Sequence, residues 1–151
     1  MKKKTNADLE TLRQRAANLF VEARYPCSEA VFATMGALYG YEAPDDVVRF
    51  AAGFRKGMCE GDVCGAISGG VMALGFLLAP ERGGEAPPKL VEAVRRIRET
   101  FTARNGCLDC QALLAPYEGR EKDDPERRAF CTRLVESVVS DLVAIFEEST
   151  S

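Results

Sequence analysis

Apolar residues recur at intervals of three and four along most of the chain, the spacing of one face of an α-helix. The first such stretch predicts a helix over about residues 7–23, capped by Asn6 and ended by Pro26. The last predicts a long helix from Pro125 to about Glu148, with one apolar stripe. No segment shows the sustained alternation of a half-buried strand.

Prolines, glycines and capping residues divide the middle of the chain into further helices. We predict them over residues 26–39, from 44 onward, and over 63–78, 88–104 and 110–114. Asp62 and Asp109 are the expected N-caps of the helices over 63–78 and 110–114. The pattern therefore predicts an all-α fold, a single compact bundle of six to seven helices around a central glycine-rich helix.

Length and composition fit one globular protein. The chain has 151 residues, 46% of them hydrophobic and 28% charged, so we expect one helical, cysteine-containing domain over 1–151. Its ends, 1–6 and 149–151, are expected to be frayed. The net charge of −3 gives no reason to expect nucleic acid as a partner.

The distribution of apolar residues also bears on location. The longest apolar run, Val71 to Ala79, is too short to cross a membrane, so no membrane insertion is expected. The basic start is not followed by an apolar stretch, and we therefore predict a cytoplasmic protein without an export signal. In a reducing cytosol, cysteines more often bind metals or act as working thiols than form structural disulfides.

The chain contains no histidine, and this narrows the chemistry. Histidine-based acid–base catalysis, Cys-His nucleophile pairs, mixed Cys/His zinc sites and histidine-ligated haem are all excluded. No phosphate-binding glycine motif is present, so neither haem nor a nucleotide is expected as cofactor.

Six cysteines remain as the carriers of chemistry: Cys27, Cys59, Cys64, Cys107, Cys110 and Cys131. Three of them, Cys27, Cys64 and Cys110, fall at predicted helix N-termini, where the helix dipole favours the thiolate. Cys131 is expected to point at the core from the last helix, and an apolar setting would raise its pKa. For each cysteine, a role as a small buried hydrophobe is the alternative.

The central helix carries Cys64-Gly-Ala-Ile-Ser-Gly-Gly, with Gly65 and Gly69 four residues apart on one face. A glycine inside a helix costs about 1 kcal/mol relative to alanine, so these positions need a reason. Their bare face can admit a cofactor, which makes Gly65 and Gly69 candidate cofactor-binding residues. Close packing against another helix is the alternative explanation.

The order of Cys27, then Cys64-Gly-Ala-x-x-Gly69, then Cys110-x-x-Leu113 and Cys131 resembles the C_GCAxxG_C_C family of probable redox-active proteins. The similarity runs from about Leu19 to Ile145. It implies a redox role for Cys27, Cys64, Cys110 and Cys131. Cys59 and Cys107 are not family positions, and they are candidate resolving thiols.

The resemblance leaves the chemistry open. The four cysteines could ligate an iron–sulfur cluster, with zinc as the alternative metal, or cycle between dithiol and disulfide. A structural zinc-binding or metal-free helical interaction protein without turnover is the rival function. A redox partner protein is expected but unidentified, and a homodimer and enzymatic activity are both left open.

The basic fifth helix is a further candidate feature. Its cations, which precede Cys107 and Cys110, are Lys89, Arg95, Arg96, Arg98 and Arg104. They could lower thiol pKa values or dock an acidic redox partner. A solvated helix face is the simpler explanation.

Overall fold

The computed structural model describes residues 8–80 and 83–150, and within these ranges the fold is all-α, as predicted. Its helices are α1 (Leu9–Val21), α2 (Cys27–Leu38), α3 (Asp45–Val48), α4 (Gly65–Leu78), α5 (Pro88–Asn105), α6 (Cys110–Leu113) and α7 (Pro125–Thr150). Two 3₁₀ turns, Arg49–Phe54 and Ala115–Tyr117, and a tight turn over Gly57–Gly61 complete the regular structure. No described residue belongs to a β-strand.

The helix ends follow local chemistry. Asp8 caps α1 by accepting a hydrogen bond from the Thr11 N–H at 2.7 Å, whereas the predicted cap, Asn6, lies outside the described residues. Gly106 ends α5 in the left-handed conformation, as predicted from Asn105-Gly106. The last helix continues through Thr150, two residues beyond the predicted end at Glu148.

The predicted cap at Asp62 is wrong. Asp62 has an extended backbone and α4 begins only at Gly65, with Cys64 as its N-cap residue. The reason is long-range pairing: Val63 forms an isolated antiparallel bridge with Asp109, and this pairing holds the segment extended.

The core lies between α4, α2 and α7. Helix α2 packs against α4, and α7 contacts α1, α5, α4 and α2. The largest fully buried side chains come from these elements: Phe101, Met35, Leu38, Ile67, Leu74, Ile97 and Leu142. Burying side chains of this size stabilises the fold by about 1.5–3 kcal/mol each. No helix among the described residues is both long enough and apolar enough to traverse a bilayer.

Two glycines of α4 permit its close contact with α2. A Cβ at Gly65 would clash with Cys27 Sγ, and a Cβ at Gly69 would clash with the backbone carbonyl of Ser28. The bare face of α4 is thus filled by the first turn of α2, so close helix packing accounts for both glycines.

Candidate functional site

The four cysteines of the resemblance line one cavity. Cys27 is the first residue of α2, Cys64 the N-cap of α4, Cys110 the first residue of α6, and Cys131 lies in the second turn of α7. All four contribute to the wall of a cavity of about 170 Å³. Residues more than 100 positions apart in sequence are therefore brought together by the packing of four helices.

Backbone pairing places Cys64 next to Cys110. The Cys64 N–H donates to the Leu108 carbonyl at 2.8 Å, and the Cys110 N–H donates to the Asp62 carbonyl at 2.7 Å. These two bonds flank the Val63–Asp109 bridge and fix the α4 and α6 starts side by side. The sequence carries no strand signal here because a single bridged residue on each segment is too short to show alternation.

Cys27 reaches the same cavity through the glycine contact. Its Sγ lies where a side chain at position 65 would otherwise stand. Gly65 and Gly69 are themselves not among the described lining residues of the cavity, whereas Ala66 is. The two glycines therefore bring a thiol into position, and their role in binding a cofactor stays a prediction.

The expectation that helix N-termini favour thiolates at Cys27, Cys64 and Cys110 is wrong for this arrangement. Burial raises the pKa of the Cys27 thiol, and nearby Cys110 raises it further, against backbone N–H groups that lower it. Burial likewise raises the pKa of Cys64, with added contributions from Cys27, Cys110 and Cys131. Loss of hydration outweighs the helix end because each thiolate would be enclosed.

Cys110 and Cys131 differ in their access to positive charge. Burial raises the pKa of Cys110, while Arg127 and Lys56 act in the opposite direction. Burial, followed by Cys27 and Cys110, raises the pKa of Cys131 to about 11, as expected for a thiol facing the core. All four cavity thiols are thus mostly protonated near neutral pH.

The cavity wall is basic, which the sequence analysis did not anticipate. Six of its described residues are cations and none is a carboxylate: the cations are Arg24, Arg55, Lys56, Lys122, Arg127 and Arg128. The sequence did indicate one of these cations: in α7, Arg127 precedes Cys131 by four residues and so lies on the same helix face. The cations of α5 are not among the described lining residues, and three of them form ion pairs elsewhere.

The two remaining cysteines lie outside the cavity wall. Cys59 is exposed in the turn Gly57–Gly61, where it adopts a left-handed backbone with φ of 64°. It lines an open outer groove of about 700 Å³ that also includes Cys110. Cys107 is half-buried and lines neither the cavity nor the groove.

Cys110 lines both the cavity and the outer groove. The partly enclosed cavity and the outer groove have Cys110, Lys56, Leu114 and Arg127 in common. Of the four cavity thiols, Cys110 is therefore the one that the described lining of the outer groove includes. Among the described residues, no group of three Cys, Asp or Glu side chains is close enough together to hold a metal ion as it stands.

Fold and site together define a class: an all-helical protein with four thiols from separate helices around a small cationic cavity. The chain belongs to the family described as "Putative redox-active protein (C_GCAxxG_C_C)", which matches residues 25–145. This confirms the resemblance drawn from the cysteine pattern, with a start six residues later than Leu19. No curated protein and no solved structure matches the chain.

Proposed function

We propose that this protein is a redox protein whose cavity cysteines, Cys27, Cys64, Cys110 and Cys131, carry the reaction. The observation that supports it is their convergence: four thiols from four helices line one cavity in a chain without histidine. A role of each cysteine as a separate small buried hydrophobe would not require them to meet. A reducing cytosol is the compartment in which such thiols would start in the reduced form.

The reaction that we favour is thiol–disulfide exchange with a small disulfide as oxidant. The Cys110 thiolate attacks one sulfur of the substrate disulfide, forming a mixed disulfide and releasing one thiol. A second cavity thiolate, from Cys27 or Cys131, then attacks Cys110 Sγ and releases the other substrate thiol. Two protein thiols are oxidised to one disulfide, and the substrate disulfide is reduced to two thiols.

Cys110 is the proposed attacking group because of its position. It is half-buried, lines both the cavity and the outer groove, and has Lys56 and Arg127 near enough to offset part of the rise in its pKa that burial causes. Cys64 is buried and lacks such support, which suits it to a later step or to a structural role.

The test is a count of free thiols before and after mild oxidation of the reduced, metal-free protein with glutathione disulfide. We expect two thiols to disappear, to map to Cys110 and a second cavity cysteine by mass spectrometry, and to return with dithiothreitol. Cys110→Ser should abolish the change, whereas Cys107→Ser, outside the cavity wall, should leave it intact. An unchanged count in the native chain would contradict the proposal.

A metal centre is the second candidate, favoured by the donor chemistry of the cavity. Four soft thiol ligands and no lining carboxylate suit an iron–sulfur cluster or zinc, which bind thiolates. Because no three ligand side chains within 8–80 and 83–150 are close enough as they stand, metal binding by the cavity would require its sulfurs to move inward. When bound, an iron–sulfur cluster would supply one-electron chemistry, and zinc would supply structural cross-linking.

Anaerobic purification separates these versions. A brown protein with stoichiometric iron and visible absorption would support the cluster, and a colourless protein with one zinc per chain would support a structural site. Cys64→Ser should remove the metal in either case, whereas Cys59→Ser, in the outer groove, should not. A chain that binds no metal and undergoes no reversible thiol oxidation would fit the rival function, an interaction protein without turnover.

A further inference from the structure

Most of the cations that line the thiol cavity have no carboxylate partner among the described residues. Of the six cavity cations, Arg24 alone has a carboxylate partner in the part of the chain that the structure describes, Asp123 at 3.3 Å. Within residues 8–80 and 83–150, the other ion-paired arginines all lie away from the cavity: Arg13, Arg15, Arg95, Arg96, Arg104 and Arg120. The described residues thus place five cations without a carboxylate partner around this cavity.

Several of these cations are held near the thiols. Arg128 donates a hydrogen bond to the Phe20 carbonyl at 2.9 Å and stacks over the Phe20 ring, which fixes its side chain at the wall. Arg127 and Lys56 both act electrostatically on Cys110, and Arg127 and Arg128 act on Cys131. Because α7 presents Arg127 and Arg128 beside Cys131, the basic wall is part of the helix geometry.

A concave, partly enclosed surface of one sign concentrates ions of the other sign. The thiols cannot supply this negative charge while they are protonated, and none of the described lining residues is a carboxylate. The volume of about 170 Å³ is below the range of pockets for drug-sized ligands. The cavity is therefore suited to a small ligand that brings its own negative charge.

We propose that the substrate of this site is a small anion, recognised by Arg127, Arg128 and Lys56 and held against the thiols of Cys110 and Cys131. That the anion is a substrate, and not only a bound ligand, rests on the proposed redox function. The cations attract the anion and orient its charged end toward the basic wall. The reacting atom of the anion then faces Cys110 at the opening shared with the outer groove.

The test uses two alkylating reagents of nearly equal size, anionic iodoacetate and neutral iodoacetamide, on the reduced full-length protein. Both react with the thiolate, so the ratio of their rates at one cysteine is independent of that cysteine's pKa. Mass spectrometry gives this ratio for each cysteine. We expect the iodoacetate-to-iodoacetamide ratio to be at least about tenfold higher at Cys110 than at the same residue in the urea-unfolded chain.

Variants assign the effect to the cavity. Arg127→Gln and Lys56→Gln should each lower the ratio at Cys110, and Arg127→Lys, which keeps the charge, should restore most of it. Arg98→Gln, which removes an exposed cation outside the cavity wall, is the matched control and should change nothing. High salt should reduce the preference, because exposed parts of the wall are screened.

A folded-state ratio at Cys110 equal to that of the unfolded chain, or equal in Arg127→Gln and Arg98→Gln, would overturn the inference. The outcome is independent of the redox proposal, because alkylation requires no oxidation. Iodoacetate preference without reversible thiol oxidation would leave an anion site and refute the thiol–disulfide reaction. Reversible thiol oxidation without the iodoacetate preference would support the thiol–disulfide reaction and refute the anion site.

Discussion

At the scale of single residues, the glycines of α4 explain why this helix tolerates so unfavourable a composition. Gly65 and Gly69 stand where any side chain would meet Cys27 or the Ser28 backbone. Glycine lowers the helix propensity of α4 at these positions, but it allows α2 to pack closely against α4. Gly75 of the same helix has no atom within 4 Å of a Cβ built upon it. All three glycines lower helix propensity, but only Gly65 and Gly69 lie where a neighbouring element leaves no room for a side chain.

This difference predicts opposite effects of alanine on stability. Gly69→Ala should lower the free energy of unfolding by about 1–3 kcal/mol, because the Ser28 carbonyl is backbone and cannot move aside freely. Gly75→Ala should raise it by up to about 1 kcal/mol through helix propensity alone. Urea unfolding followed by circular dichroism measures both. Equal stabilisation by the two substitutions would show that α2 and α4 do not approach closely.

The raised pKa of Cys131 gives a pH prediction. Since burial and neighbouring thiols raise its pKa to about 11, the thiolate is scarce below that value and becomes abundant only as the pH rises through it. Its rate of alkylation by iodoacetamide should keep rising beyond pH 9, where an ordinary thiol with a pKa of about 8.5 approaches its plateau. The same cysteine in the urea-unfolded chain is the control, and a plateau near pH 9 in the folded protein would contradict the assignment.

At the scale of elements, the site depends on an irregular segment between helices. Lys56, Gly57, Met58 and Cys59 are consecutive residues with positive φ, and they reverse the chain before Asp62–Cys64 pairs with Leu108–Cys110. Asp62 N–H closes the turn by donating to the Gly57 carbonyl at 2.8 Å. This turn sets the direction in which α4 starts and hence the position of Cys64.

Gly57 is the residue on which this turn depends most. Gly57→Ala should destabilise the protein by about 1–2 kcal/mol from the left-handed conformation alone, and its Cβ would also clash with the Asp62 backbone. We expect faster alkylation of Cys64 as the segment opens. Gly53→Ala, whose Cβ would meet no atom within 4 Å, should change neither stability nor Cys64 reactivity by comparable amounts. Protection of Cys64 that persists in Gly57→Ala would refute the role of the turn.

At the scale of the whole molecule, α7 is the element that connects the bundle to the site. It contacts α1, α2, α4 and α5, and it contributes Cys131 and two cavity cations. A bidentate ion pair between Arg104 of α5 and Asp141 of α7, at 2.6 and 2.9 Å, fixes these helices to each other. Asp141 is only 13% exposed, so this pair is better shielded than the others that α5 forms.

The ion pair between α5 and α7 can be tested against a pair confined to α5. Arg104→Gln should lower the free energy of unfolding by about 0.2–1 kcal/mol at low salt, because the arginine remains partly exposed. The loss should shrink at high salt. Arg95→Gln, which breaks only bonds to Glu92 and Glu99 within α5, should have the smaller effect. The reverse order would show that this tertiary pair does not stabilise the packing of α5 on α7.

The sequence by itself determined the features that depend on residues close together along the chain, above all where the helices begin and end. Helical periodicity, Pro88, Gly106 and the Asp124-Pro125 start are local signals, and the helices follow them closely. The order and spacing of four cysteines were likewise readable from the chain, and the family match over residues 25–145 confirms the resemblance drawn from them. The missing histidine excluded whole classes of chemistry without any structure.

Only the tertiary structure decided how these parts meet. The Asp62 cap failed because its backbone pairs with a segment more than 40 residues away, and no local pattern encodes that pairing. The thiol pKa values rise rather than fall because they depend on burial, which is a property of the packed helices. The cationic wall is assembled from separate segments for the same reason: helical periodicity fixes which residues share a face, and packing fixes what that face meets.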